Sequence, residues 1–300
     1  MSWGKLLLRR VLNPGLGESV AFENVAIERV REYWDRRPCN IRHSPKPVGT
    51  REYFDEVEAR KYFVEPHIPR FAQFERWRGR KVLEIGCGIG TDTVNFARNG
   101  AMVTAVDLSG QSLEVARRRV AVYELGQNVC FHQGSAEELR QFLPLNEYEL
   151  IYSFGVIHHT PHPERVMKEL QYYAGPNTTL KIMLYHRYAW KVFSILMSYG
   201  KGQFWKASEL VARHSEAQTG CPVTFTYTRR GAKELIERSG FHVSEMWVDH
   251  IFSYRVADYI QFRYVRALPF RWMPAHMRRN LEKRFGWHLC VTATRSTVAA

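Results

Sequence analysis

"VLEIGCGIGTDT", Val82 to Thr93, decides the fold. With Lys81, its first residues read as a buried strand: an apolar run of this length, stopped by glycine, is too short for a helix. Three alternate glycines follow, Gly86, Gly88 and Gly90. Each carries a backbone-entropy cost, so the chain places them where backbone must approach something closely. Thr91 and Asp92 then offer oxygens that can cap the orphan N–H groups of a helix start. A strand, a glycine-rich turn and a helix N-terminus together present free amides and the positive end of a helix dipole to a polar ligand.

Reading outward, strand-like and helix-like segments alternate from residue 81, the signature of a parallel sheet covered by helices. The first helix should end at Gly100, "AMVTAVD" is a second strand, and Ser109 opens a helix with Leu113, Ala116, Val120 and Tyr123 on one face. "NVCFHQG", "YELIYSFGV" and "TTLKIMLYH" are strands three to five. "AEELRQFL" is a short helix, and Pro161 and Pro163 suit the first turn of another that carries Val166, Leu170 and Tyr173. "RRGAKELIERSG" is a helix, "FHVSEMWVDH" a sixth strand and "WHLCVTAT" a last one.

Two ligand types compete for the glycine turn. A dinucleotide site asks for G-x-G-x-x-G, but here the third glycine comes one position early and Thr91 stands in its slot. Glu84, two residues before the first glycine, would repel a pyrophosphate and welcome an ammonium group. Asp107 ends strand two, placed to accept hydrogen bonds from both hydroxyls of a ribose.

"VLEIGCGIG", "VTAVDLS", "GSAEEL" and "YSFGVIHHTPHPERVMKEL" resemble the successive motifs of class I S-adenosylmethionine-dependent methyltransferases, in particular the small-molecule branch with the ubiquinone and menaquinone biosynthesis enzymes. The resemblance covers roughly residues 80 to 187 and the last helix and strands. It implies an α/β, Rossmann-like seven-stranded sheet in the order 3-2-1-4-5-7-6 with the last strand antiparallel. It also implies S-adenosylmethionine as cofactor, its methionine end over Gly86, Cys87, Gly88 and Gly90 with Glu84 at its amino group. Asp107 would bind the ribose, Leu108 would pack on the adenine, the Ala136 amide would reach the ring, and Phe154 would line the pocket near the methyl group. The family often has Asp at the position of Ser135; serine departs from that pattern but keeps an acceptor oxygen.

Around this core the sequence divides into a helical N-terminal lid (1–80), the cofactor-binding core (81–187), a substrate-cap insertion (188–227), a core helix and strand (228–250), a basic and aromatic insertion (251–286), and a final strand and tail (287–300). The lid reading rests on aromatics such as Tyr33, Trp34, Tyr53 and Phe54, with Phe22, Ala26, Val30 and Tyr33 on one helical face and Ile68, Phe71 and Phe74 on another. Insertions of this length in an α/β domain usually carry binding function.

Methyl transfer to a phenol, amine or acidic carbon needs a base, and histidine is the natural one near neutral pH. The candidates are His158 and His159 in "IHHTPHP" and Tyr185 and His186 in "LYHR", at strand ends where α/β sheets bind ligands. In the resembled family a histidine after strand four is often structural. No metal site is expected from His158, His159 and His162, because neither carboxylate nor cysteine completes a ligand spacing. In the first insertion Arg213, His214, Glu216, Gln218, Thr219 and Tyr227 could form an acceptor pocket, with a solvated loop as the alternative. Cys221 precedes a proline, whereas the nucleophile of the cytosine-C5 enzymes follows one.

The net charge of +13 attracts anions, whether nucleic acid, acidic headgroups or an acidic metabolite. The second insertion interleaves arginines with aromatics and reads as a helical cap, a membrane-surface element giving weak association, or a nucleic-acid platform. Strand four ends in "SFGVIHH" and not in the (N/D)-P-P-(Y/F/W) tetrad that grips a base, which favours a small lipophilic or anionic metabolite over RNA or DNA. A cofactor-binding subunit without catalysis is a further alternative, opposed by the intact Glu84, glycine turn and Asp107. Five scattered cysteines without a CxxC pair argue for a reducing compartment, the cytoplasm by default. The N-terminal "MSWGKLLLRR" has too short an apolar core for a signal peptide.

Overall fold

The computed structural model describes residues 22–215 and 220–296. A seven-stranded sheet in the order 3-2-1-4-5-7-6 carries the chain. Its strands are β1 (Lys81–Ile85), β2 (Met102–Asp107), β3 (Val129–Gln133), β4 (Tyr148–Phe154), β5 (Ala174–Tyr185), β6 (Phe241–Asp249) and β7 (His288–Arg295). The first five run parallel, and β7 is antiparallel to both β5 and β6. In β1, Leu83 and Ile85 enter one apolar cluster and Val82 enters the other, because successive strand side chains point to opposite faces. Both faces are therefore covered, as a parallel sheet requires.

The helices among the described residues are α1 (Ile27–Arg36), α2 (Arg51–Val64), α3 (His67–Ala72), α4 (Thr91–Arg98), α5 (Gly110–Val122), α6 (Pro163–Gln171), α7 (Trp190–Tyr199), α8 (Ala207–His214), α9 (Arg229–Glu237), α10 (Val256–Ile260) and α11 (Ala275–Phe285). None is long and apolar enough to cross a membrane. Ser109 caps α5 by accepting from the Ser112 amide, as its position implies. The cap of α4 departs from expectation. Gly90, at φ +76, holds the N-cap without a side-chain bond, and Thr91 and Asp92 lie inside the first turn. Of the two prolines before α6, only Pro163 is in its first turn.

Residues before β1 divide into two parts. Tyr53, Phe54 and Val57 of α2 are fully buried with Ile89, against Val115 and Val122 of α5. Burial of such side chains contributes about 1.5–3 kcal/mol each, so α2 is a structural layer of the domain. The fully buried Arg119 of α5 ties it down, donating to the Thr91 hydroxyl at 2.6 Å and to the Phe54 carbonyl at 2.9 Å. The expected first helix begins at Ile27, with Ala26 exposed as its N-cap, and its inward face is Ile27, Val30 and Trp34. Residues 1–21 lie outside the described residues.

The first insertion folds as α7 and α8 and then returns to the sheet. Its second half is core and not the solvated polar loop considered above. Val223 and Phe225 are buried with Phe22 and Val30, the Phe225 amide donates to the His158 carbonyl, and the Tyr227 amide donates to the Tyr185 carbonyl. The second insertion carries α10 and α11 and is clamped to α2 by Arg60, whose guanidinium lies 4.0 Å from the Tyr259 ring centre and 4.3 Å from that of Phe262. The two insertions meet where Trp190 and Phe270 pack edge to face at 5.9 Å.

Candidate active site

One cavity of about 1150 Å³ runs from the glycine turn to the underside of both insertions. Ordinary small-molecule sites occupy roughly 300–1,000 Å³, so this one has room for two ligands side by side.

At its first end lie Glu84, Gly86, Cys87 and Gly88. A Cβ on Gly86 would stand 2.1 Å from a Val156 methyl, and its φ is +74, so no other residue fits. Gly88 has open space where its Cβ would be. Gly90 does not line the cavity. It is required because a Cβ there would press on Ala116 of α5, so its place among the ligand-contacting residues is corrected to helix packing.

The Asp107 carboxylate is aimed by two amides, Gly88 at 2.7 Å and Ser109 at 2.8 Å. Burial raises its pKa to about 6 although both amides pull it down. A carboxylate offers about four acceptor sites, so capacity remains for a diol. Glu84 is buried and accepts from the Thr93 hydroxyl at 2.5 Å. Burial pushes its pKa to about 8, aided by the negative charge of Asp92 and opposed by the Thr93 bond. A buried acid facing a cavity in this state is matched by a cationic ligand. Leu108, Ser135, Ala136 and Phe154 complete this end. The Ser135 hydroxyl accepts from the Glu137 amide and so caps the short helix that follows.

Between the two ends stands Asp92, which the sequence reading had assigned only to a cap. Its carboxylate accepts from Lys61 at 2.6 Å and from the hydroxyls of Tyr62 and Tyr152 at 2.9 and 3.0 Å. Three segments, α2, α4 and β4, supply this network, so no local pattern announces it.

The four proposed acid–base residues separate. His159 and Tyr185 line the cavity. His159 Nδ1 lies 2.8 Å from the Val223 carbonyl, which can only accept, so that nitrogen carries the proton and Nε2 is the basic one. Tyr185 packs between His158, at 3.7 Å, and Trp287, at 4.0 Å. His158 is fully buried behind it, and burial first, then His159, drives its pKa well down. The structure does not bring His186 to the cavity: its Nδ1 faces the Gly286 carbonyl at 3.2 Å, where the return of the first insertion covers it.

Arg213 and Tyr227 are likewise not among the cavity-lining residues. Arg213 pairs with Glu209 on the surface, and Tyr227 bridges to His186. His214 does line it, stacked on Tyr199 at 3.9 Å. Glu216, Gln218 and Thr219 lie outside the described residues. The far end is walled instead by aromatics of the insertions and by His43, His250 and His288, none of which the sequence pattern singled out.

The pairing of a buried acid below a glycine turn with an acid at the end of β2 defines a class. Residues 82–177 match the family described as methyltransferase domain. The chain carries a class I S-adenosylmethionine-dependent methyltransferase domain resembling the ubiquinone biosynthesis O-methyltransferases, and S-adenosylmethionine is the cofactor of that domain. The Aromatoleum aromaticum ubiquinone biosynthesis O-methyltransferase is 39% identical over 85 residues, 28% of this chain and 35% of that protein. Its Pasteurella multocida counterpart is 29% identical over 163 residues, 48% of this chain and 66% of that protein. The chain thus spans about a third to two thirds of the length of these relatives. The same fold occurs in magnesium protoporphyrin IX methyltransferase from Synechocystis PCC 6803, with a TM-score of 0.55 at 15% identity over 90% of this chain and all of that one.

Proposed function

We propose that the protein transfers the methyl group of S-adenosylmethionine to a small lipophilic or anionic metabolite, in the cytoplasm. The observation that carries this reading is the single cavity joining the Glu84–Asp107 end to an aromatic, cation-bearing end under the insertions. When bound, the cofactor supplies a methyl group already activated on a sulfonium. The remaining work is positioning and exclusion of water. Glu84 holds the amino group, Asp107 the ribose diol, and Phe154 and Tyr185 wall the space where the acceptor meets the methyl.

His159, whose Nδ1 is fixed on Val223, is the acid–base candidate, as the member of the histidine pair that lines the cavity. Trp34 of α1, whose ring centre lies 5.4 Å from that of His159, closes the cavity from the N-terminal side. This gives the lid role to residues 22–43 rather than to α2. Lys191 and Arg60 on the cavity wall suit an acceptor with an acidic group.

Exposed Leu268 and Trp272, at 73% and 77%, lie among the arginines of the second insertion, which supports weak association with anionic membrane surfaces. Such a surface would bring a lipophilic acceptor to the cavity mouth.

The test offers methyl-labelled cofactor and purified protein to cell extract split into RNA and small-molecule fractions. Label in an apolar or acidic small molecule is the expected result. Label in RNA alone, or in neither fraction, would overturn the proposal in favour of a nucleic-acid enzyme or a binding subunit.

A further inference from the structure

Two histidines and a glutamate meet on the cavity wall beside Phe154, with a third histidine behind them: Glu65 after α2, His250 after β6 and His288 opening β7, backed by His67 opening α3. The His288 ring centre is 5.4 Å from that of Phe154, which places the cluster near the expected methyl group. Methyl transfer as described above leaves these residues without a role.

Glu65, His250 and His288 each offer one ligand atom, and the three atoms lie within 4.8 Å of one another. All three residues line the cavity. His288 Nε2 is 3.6 Å from Glu65 Oε1. Ligands of one tetrahedral ion about 2.0–2.1 Å away sit roughly 3.4 Å apart, so the group need close by only about an ångström.

The outer contacts also fit. His288 Nδ1 is 2.9 Å from His67 Nε2, which leaves Nε2 of His288 for an ion. The His250 ring packs against those of His288 and His67. Ligating histidines almost always carry such a second partner, because it fixes the tautomer and the ring orientation. His250 is held at φ +70, where glycine would sit without strain. A histidine is nevertheless there, with its ring stacked 4.6 Å from that of His288.

We propose that Glu65, His250 and His288 bind one divalent first-row transition-metal ion, with its remaining positions open to the cavity. Two imidazoles and one carboxylate suit zinc or iron(II) better than magnesium or calcium, which prefer oxygen. Resting on the methyl-transfer reading for its role only, the ion would hold a hydroxyl or carboxylate oxygen of the acceptor and ease loss of its proton. His67 is a positioning residue behind His288.

The test needs neither acceptor nor turnover. Full-length protein is stripped with chelator and titrated calorimetrically with Zn²⁺ alone. One ion per chain is expected. Glu65→Gln and His250→Ala should weaken binding more than about a hundredfold and His67→Phe by about 10–100-fold. His242→Ala, an exposed histidine on β6 outside the cluster, should change nothing. X-ray absorption of the zinc-loaded wild type should count two imidazoles and no sulfur, and this reading needs no variant to fold. Less than one tight site per chain, equal binding in Glu65→Gln and wild type, or a zinc shell lacking two histidines would overturn the site. Cofactor binding, measured in the same samples, reports separately on the methyltransferase reading.

Discussion

The two ends of the cavity are built in opposite ways. At the glycine turn the two acids and the amides that aim Asp107 come from β1, β2 and the loops that follow them, within about 25 residues of sequence, and Ser135, Ala136 and Phe154 are added from the ends of β3 and β4. At the insertion end the wall comes from α1, α2, α7, β7, the loop after β6 and the second insertion, and is made of side chains. A local, backbone-made site binds a constant ligand. A side-chain wall assembled from distant segments can be re-cut without disturbing the sheet, so acceptor specificity belongs there.

The largest expected effect separates the two histidines at the strand ends. His159→Ala should lower turnover by about 10²–10⁴-fold with cofactor affinity nearly intact. His186→Ala should leave turnover near normal and lower the melting temperature, because its ring packs against Gly286 and Tyr188. Steady-state kinetics of both variants decide the matter, and the reverse pattern would restore His186 as the base.

Next in size, Asp107→Ala should weaken S-adenosylmethionine binding by about 1.5–3 kcal/mol, the usual range for bonds to a charged group. Acceptor KM should change little if the two ends are independent. Calorimetry showing unchanged cofactor affinity would remove Asp107 from the site.

The Glu84 carboxyl gives a smaller, graded effect. Its pKa of about 8 without ligand keeps it mostly protonated at neutral pH. An ammonium group needs the carboxylate, so binding below that pH releases a proton, and affinity should rise up to about tenfold per unit until pH 8 and then level off. Calorimetry in buffers of different ionisation enthalpy measures the proton directly. A flat profile would mean that the cofactor's amino group lies elsewhere.

The smallest change is expected from Leu268→Ser with Trp272→Ser. Both side chains are exposed, so folding stability should shift by less than about 0.5 kcal/mol for each surface substitution. Sedimentation with vesicles containing anionic lipid should nevertheless fall. Equal sedimentation of wild type and variant would leave the exposed aromatics without a membrane role.

Much of the fold was written in short-range patterns. The alternation of strands and helices, the glycine turn, Asp107 and the Ser109 cap each depend on residues within one βαβ unit. The errors fell where a local signal had a stronger tertiary competitor. Asp92 is a good capping residue by type, but Lys61, Tyr62 and Tyr152 claim its oxygens from elsewhere, while Gly90 takes the cap at a positive φ and in tight contact with Ala116. The return of the first insertion looked polar, yet Val223, Phe225 and Tyr227 alternate, and that period of two was the signal for an edge packed on the sheet.

The sequence by itself determined the sheet, its order through the resembled family, and the two acids that line the glycine-turn end of the cavity, because those positions are close along the chain and constrained by backbone geometry. Only the tertiary structure decided which histidines face the cavity. His67 and His288 are 221 residues apart and touch at 2.9 Å. His158 and His159 are neighbours, and yet one is sealed behind Tyr185 while the other lines the cavity. Periodicity assigns a side chain to a face, but whether that face meets solvent, a ligand or another ring depends on which distant segment folds back over it.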